Sequence, residues 1–234
     1  MATSKRGNPG RAPGRGGAGA LSVEALVGSA LALADAEGLD ALTVRRMAAE
    51  HGVTPMAMYH YFADKDALLG ALAERLLSQV RLDDAGGSWE ARLEAFFTSF
   101  LAVLRPHPEV AALVRTRILD GPAGLAVAEH VLGLLTAAGL DAEQTAEVGT
   151  YALSALVTLV TAAPGPPAAT ADRAGQVRRR RARLSALDPA RFPHVIAAAE
   201  PLADCRDEDV YFDRGLALLL GGIRALPGSG TGQL

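Results

Sequence analysis

Apolar residues recur every three or four positions along most of this chain, and no run alternates with period two over the length of a strand. The first such stretch, residues 22–37, puts Leu26, Ala30, Leu33 and Ala34 on one face, with Ser22 as N-cap and Gly38 as the stop. A short helix then begins at Thr43 and ends near His51, where Gly52 tolerates the left-handed conformation of a tight turn. Thr54 caps the next, with Pro55 at the first helical position, where a missing N–H costs nothing. Asp64 caps a fourth, running through Leu68, Leu72 and Leu76.

Beyond Gly86 and Gly87 the same period predicts longer helices. Ser88 precedes a stripe of Trp89, Leu93, Phe96, Phe100 and Leu104 that Pro106 ends. Helices over 108–119, 122–138 and 141–163 follow, punctuated by Gly or Pro. Residues 165–171 read as a loop, 173–187 as a basic helix, and 208–226 as a closing helix carrying Tyr211, Phe212, Leu216, Leu219 and Ile223. The expected fold class is all-α, without internal repeats.

Composition supports this. Half of the 234 residues are hydrophobic and only 5% are aromatic, so aliphatic side chains must do most of the packing. The single Cys205 excludes an internal disulfide, cannot alone build a zinc site, and fits a reducing cytoplasm. The N-terminus lacks the apolar segment of a secretory signal. The longest uncharged run, 148–171, is too polar and too broken by Pro164, Pro166 and Pro167 for a membrane span. The net charge of −3 conceals an asymmetry: Lys5, Arg6, Arg11 and Arg15 all precede the first acid, Glu24. Residues 1–20 therefore read as a disordered basic arm, either a solvated tail or one reaching phosphates or a minor groove. Residues 227–234 read as a disordered tail. Histidines are scattered at 51, 60, 107, 130 and 194, with no serine-nucleophile motif, no paired His/carboxylate spacing and no cofactor loop. Neither enzyme activity nor a cofactor or metal is expected.

The two short helices around Gly52 fit a helix-turn-helix. Met47 and the small Ala48 form the inner face of the first, Val53 fills the turn, and Met58 and Phe62 face inward from the second. Met56 and His60 are left on the opposite stripe, flanked by Ala57, Tyr59 and Tyr61. Such a face is odd for a solvated helix, which usually carries Lys and Glu, and it suits a DNA major groove. Met56 and Ala57 would meet thymine methyls, His60 or Tyr61 a base edge or phosphate, and Tyr59 a phosphate, with Arg45 and Lys65 clamping the backbone. Spacing alone also fits a plain helical hairpin whose aromatics pack on neighbouring helices.

The segments Ala36-Glu37-Gly38-Leu39, Leu42-Thr43-Val44-Arg45, Gly52-Val53 and Met58-Tyr59-His60-Tyr61-Phe62, followed by Asp64-Lys65 and Leu68-Leu69, resemble the DNA-binding domain of the tetracycline-repressor (TetR) family. Tyr211-Phe212-Asp213, Gly215-Leu216 and Leu218-Leu219-Leu220 look like the final helix of its tetracycline-repressor subgroup. The resemblance implies an N-terminal three-helix head over 21–67, set on a larger helical ligand-binding and dimerisation domain over 68–226. It also implies DNA contacts at Thr43, Arg45, Pro55, Met56, Ala57, Tyr59, Tyr61 and Lys65. Pro55 and Ala57 stand where other members read bases with Gln or Thr, so no operator sequence carries over.

By the same resemblance, the helices at 141–163 and 208–226 would pair with their copies in a homodimer. Ala152 and Ala155 offer a small face, and Leu216, Leu219 and Ile223 an apolar stripe, although intramolecular core fits the same period. An effector pocket would lie among helices between residues 68 and 163. Its candidates are Phe96, Phe97, Phe100, Arg115 and Tyr151, each of which also reads as core, with Phe97 pointing away from the stripe of Phe96 and Phe100. His107, between Pro106 and Pro108, reads first as a helix-junction residue and second as a ligand contact; a tetracycline–magnesium effector is not expected. The run Arg178–Arg181 with Arg183 reads as a solvated helix or a contact for an acidic partner. The expected function is a cytoplasmic, homodimeric repressor released from a palindromic DNA operator by a small hydrophobic molecule. The alternative is a helical protein that sequesters a ligand without operator recognition.

Overall fold

Helix starts are written into single side chains of this sequence, and those side chains act as expected. In the computed structural model, which describes residues 22–82, 86–163, 173–204 and 207–226, Ser22 Oγ accepts the Ala25 N–H at 3.1 Å and opens α1 (Val23–Glu37). Thr43 opens α2 (Val44–Glu50) and Thr54 opens α3 (Pro55–Met58) in the same way, at 3.1 and 3.2 Å. Asp64 accepts from Ala67 N–H at 2.8 Å at the head of α4 (Lys65–Leu77). Each such cap satisfies a donor that the first helical turn leaves over, worth about 1 kcal/mol.

The rest of the described chain is helical too, and contains no strand. α5 (Trp89–Leu104), α6 (Pro108–Arg117), α7 (Pro122–Ala137) and α8 (Ala142–Thr161) follow, α8 with a full capping box between Asp141 and Gln144. α9 (Arg173–Ser185), α10 (Pro193–Ala197), α11 (Ala199–Ala203) and α12 (Glu208–Arg224) complete it. A 3₁₀ turn at Leu39–Ala41 and the five-residue α10 and α11 had no counterpart in the sequence reading, because elements this short show no amphipathic period. No single described helix is long and apolar enough to cross a membrane.

α5 and α8 lie at the centre of the larger part, against α4, α6, α7 and α12. Contact on several sides explains why Phe97, expected to point away from Phe96 and Phe100, is buried with them. α4 belongs to both parts. It packs on α1 in the head and on α5, α6 and α7 behind it, so the expected boundary at 67/68 falls inside one helix. α9 carries the arginine run on its exposed surface and packs on α10 and α11, with Arg181 3.5 Å from Glu200. The expected basic arm (1–20), loop (165–171), tail (227–234) and Cys205 lie outside the described residues.

Candidate nucleic-acid interface and ligand cavity

Packing in the head fixes which face of α3 looks outward. Met47, Ala48, Met58 and Phe62 are all buried, α2 packs on α1 and α3, and Ala48, almost wholly covered, lets α3 cross α2 closely. Gly52 sits at φ 64°, in the left-handed region where a Cβ would be strained, and turns the chain between the helices. α3 is a single regular turn, but the Phe62 N–H still reaches the Met58 carbonyl at 3.0 Å, which carries the helical path far enough to bury Phe62.

What remains outside is Pro55, Met56, Tyr59, His60 and Tyr61, with Ala57 half-buried beside them. Met56 is 71% exposed and Tyr59 51%, values that mark an apolar surface awaiting cover. Arg45 is exposed on α2 and has no hydrogen bond or ion pair within the described residues. Other polar groups here are already engaged. The Thr43 and Thr54 oxygens cap helices, and Arg46 forms a two-pronged pair with Glu37 at 2.6 and 3.1 Å that ties α2 to α1. Lys65 Nζ donates to the Leu39 carbonyl at 3.0 Å, holding the 3₁₀ turn; its remaining donors are what a phosphate would meet.

Helix α6 is fastened to the head at both ends. At its start His107 Nδ1 lies 2.7 Å from Asp35 Oδ2 of α1, the junction role read from its flanking prolines. At its end Arg117 makes a bidentate pair with Asp66, the residue after Lys65 on α4. The Arg117 guanidinium holds the Asp66 carboxyl below its usual value, first by hydrogen bonding and then by charge. Sequence reading chose Arg115, which is exposed, and missed Arg117. A signal existed: Arg117 falls three positions after Val114 on the stripe of Val110 and Val114, where a cation needs a partner.

Directly behind that end of α6 is a cavity of about 210 Å³ between α5, α7 and α8. Phe96, Phe97 and Phe100 form one wall, Ile118, Val127 and Val131 another, and Gly149, Leu153 and Leu156 a third. Thr150 is the one polar side chain among the lining residues, and its hydroxyl donates to the Ala146 carbonyl at 2.8 Å. Exposed Leu119, Ala146 and Thr150 mark the mouth. The structure thus gathers the three phenylalanines but not the other candidates. Arg115 and Tyr151 face solvent, and His107 borders a separate open cleft of about 790 Å³ beside α5. The aliphatic lining residues were missed because, in a sequence, they are indistinguishable from core. No group of three or more His, Cys, Asp or Glu side chains able to hold a metal converges among the described residues.

Of the residues expected to meet a second copy, Ala152 lines this cavity and Ile223 is buried with Phe212 and Leu220, so both are turned into their own chain. Ala155, Leu216 and Leu219 are half-buried. The reason is close packing: a Cβ on Gly215 would stand 2.5 Å from Leu159, so α12 lies tightly on α8 and hides those positions. Tyr151 on α8 and Leu218 on α12 point outward instead, 75% and 78% exposed.

Comparison with known proteins fits this geometry. Residues 26–72 match the family model described as bacterial regulatory proteins, tetR family. Residues 83–226 match the one described as tetracyclin repressor-like, C-terminal domain. A transcriptional regulator of Saccharopolyspora erythraea is 30% identical over 89% of this chain and 86% of its own length. The transcriptional repressor DrrR1 of Streptomyces coeruleorubidus is 38% identical over 56% of this chain, and the match spans about half, 49%, of that relative. Among solved structures, Streptomyces coelicolor ActR in complex with actinorhodin superposes with a TM-score of 0.75 at 26% identity, covering 91% of this chain and 99% of ActR.

Proposed function

This chain belongs to the TetR family of bacterial transcriptional regulators, and from that premise we propose that it is a homodimeric repressor which leaves a palindromic operator when a small, uncharged, apolar molecule fills the cavity behind α6. The observation that carries the proposal is the cavity itself: about 210 Å³, walled by aromatic and aliphatic side chains, with no charged group among them. A charged ligand there would lose its hydration without a partner, whereas an apolar one gains about 25 cal/mol for each Å² it buries. ActR, a solved relative of this chain, is seen in complex with actinorhodin, so a bound small-molecule effector has a precedent among its structural neighbours.

Release follows from connectivity. Ile118 and Leu119, which line the cavity, directly follow Arg117 in the chain, and Arg117 grips Asp66 beside Lys65. A ligand that pushes the end of α6 outward acts on the start of α4, and hence on the spacing of the two reading helices in a dimer. Its leverage is limited to its difference in affinity for the two arrangements. Dimerisation uses the outward Tyr151 and Leu218, exposed apolar side chains on adjacent helices. It is also required for specificity, since one short helix reads too few base pairs and two half-sites about 34–36 Å apart supply the rest. The repressor works in the cytoplasm, where its operator is. Tyr59 and Met56, left bare on α3, argue against a protein that merely sequesters ligand.

The proposal is tested by footprinting the purified protein on DNA flanking its own coding region, then titrating in apolar compounds. A protected palindrome, lost on adding one of them, is expected. Protection of no palindrome would sink the repressor reading. An Asp66→Asn variant tests the route. It should hold operator within a few-fold of the parent yet need at least about fivefold more effector for release. The contribution of the Asp66–Arg117 pair is present at neutral pH. It is lost as acidification passes below the ordinary carboxylate value of about 3.9 and through the lowered value of Asp66, not on going alkaline.

A further inference from the structure

Three facts about the reading face bear on which base pairs it can tell apart. First, recognition helices touch base edges with their N-terminal residues, which here are Pro55, Met56 and Ala57. Second, none of these three side chains has a hydrogen-bonding N–H or O–H, and none has an oxygen to accept one. Third, several polar side chains around that turn are committed: Thr54 to the α3 cap, Arg46 to Glu37, and Lys65 in part to Leu39, which leaves Arg45, Tyr59 and His60 on its margins. Met56 meanwhile projects as the most exposed large hydrophobic side chain of the head, 71% accessible, on a thioether arm long and flexible enough to follow a groove floor.

A base edge facing such a surface offers it one apolar group, the 5-methyl of thymine. We propose that the central half-site positions of the operator are T·A pairs recognised by their thymine methyl groups, with Met56 as the specificity-determining side chain and Ala57 closing the contact. The inference rests on the reading of α3 as the helix that enters the groove. Arg45 and Tyr59 are left to the phosphates and His60 to a base edge at the margin, and the methyl contact determines the middle of each half-site. Cytosine presents an amino group in place of the thymine oxygen and lacks the methyl, so a C·G pair at this place gives Met56 nothing to cover.

The experiment uses the full-length protein and a duplex selected by it from a random library. Each thymine of the selected half-site is replaced in turn by deoxyuridine, which removes the methyl and keeps every hydrogen-bonding group. At the contacted position the loss of one buried methyl should weaken binding about fourfold, and about fifteenfold when both half-sites are changed. A Met56→Ala variant should bind the thymine duplex more weakly and no longer distinguish it from the deoxyuridine one. Because Met56 is exposed, the variant should melt with the parent, and a melting curve verifies that. Equal affinity for thymine and deoxyuridine duplexes at every position overturns the inference while leaving operator binding intact. Discrimination that survives Met56→Ala overturns the assignment to Met56. Failure to select any sequence instead overturns the placement of α3 in the groove.

Discussion

Gly124→Ala should lower the free energy of unfolding by about 2 kcal/mol, whereas Gly133→Ala in the same helix should raise it by up to about 1 kcal/mol. Both replace glycine by a better helix former inside α7, and that gain is common to the pair. The difference is room. A Cβ on Gly124 would stand 2.0 Å from the Ile118 carbonyl oxygen and 2.8 Å from its carbon, backbone atoms that cannot rotate away. Nothing lies within 4 Å of one on Gly133. Overpacking of about 3 kcal/mol at the first site therefore outweighs the propensity gain of about 1 kcal/mol. Urea denaturation of the two variants checks the ordering. Because Ile118 also lines the cavity, Gly124→Ala should blunt the response to effector as well as stability. Two variants of equal stability would show that the corner between α6 and α7 yields more easily than its geometry suggests.

Joint replacement of Arg45 and Tyr59 by alanine should weaken operator binding roughly 100-fold for each half-site, and by about the square of that for the homodimer, with no measurable change in melting temperature. Both side chains are exposed, and neither has a hydrogen bond within the described residues, so removing them leaves nothing buried unpaired. A hydrogen bond from a cation to a phosphate contributes about 1.5–3 kcal/mol and a neutral one about 1 kcal/mol, which together give the factor for one half-site. Arg45→Ala alone should also reduce the slope of log affinity against log salt by about two units, as expected for one phosphate contact fewer in each protomer of the dimer. Fluorescence anisotropy at several salt concentrations measures both quantities. An unchanged slope would remove Arg45 from the phosphate contacts.

How much of this was legible beforehand depended on the range of each interaction. Ser22, Thr43, Thr54 and Asp64 announce helix starts because a cap acts on the third residue on, within reach of any sequence pattern. The outward face of α3 could be read from the inward pair Met58 and Phe62. The cavity could not. Val131 and Leu153 line empty space while Leu134 and Val157 nearby are buried away from it, and nothing local separates the two situations. Arg117 and Asp66 meet across 51 positions of chain, so no spacing rule couples them. Ala152 was expected on an intermolecular face and proved intramolecular. The apolar stripe on a helix says that a surface is covered, not by which chain.

A practical rule for recombination follows from α4, which has its first turn in the head and its length in the body. Exchanging heads between relatives at residue 67 would cut that helix and join Arg117 to a foreign first turn. It would also leave Glu74, whose carboxylate accepts the Ala123 N–H at 2.7 Å, on a helix whose approach angle is set by another protein's α1. A hybrid spliced there inherits a new operator preference together with a mismatched hinge, and should bind DNA without answering its effector. Splicing after Leu77 moves the hinge with the head but separates Asp66 and Glu74 from the partners they meet here. The transferable unit is therefore the head together with α4, Arg117 and the turn that begins α7, three stretches that are discontinuous in sequence and mechanically one piece.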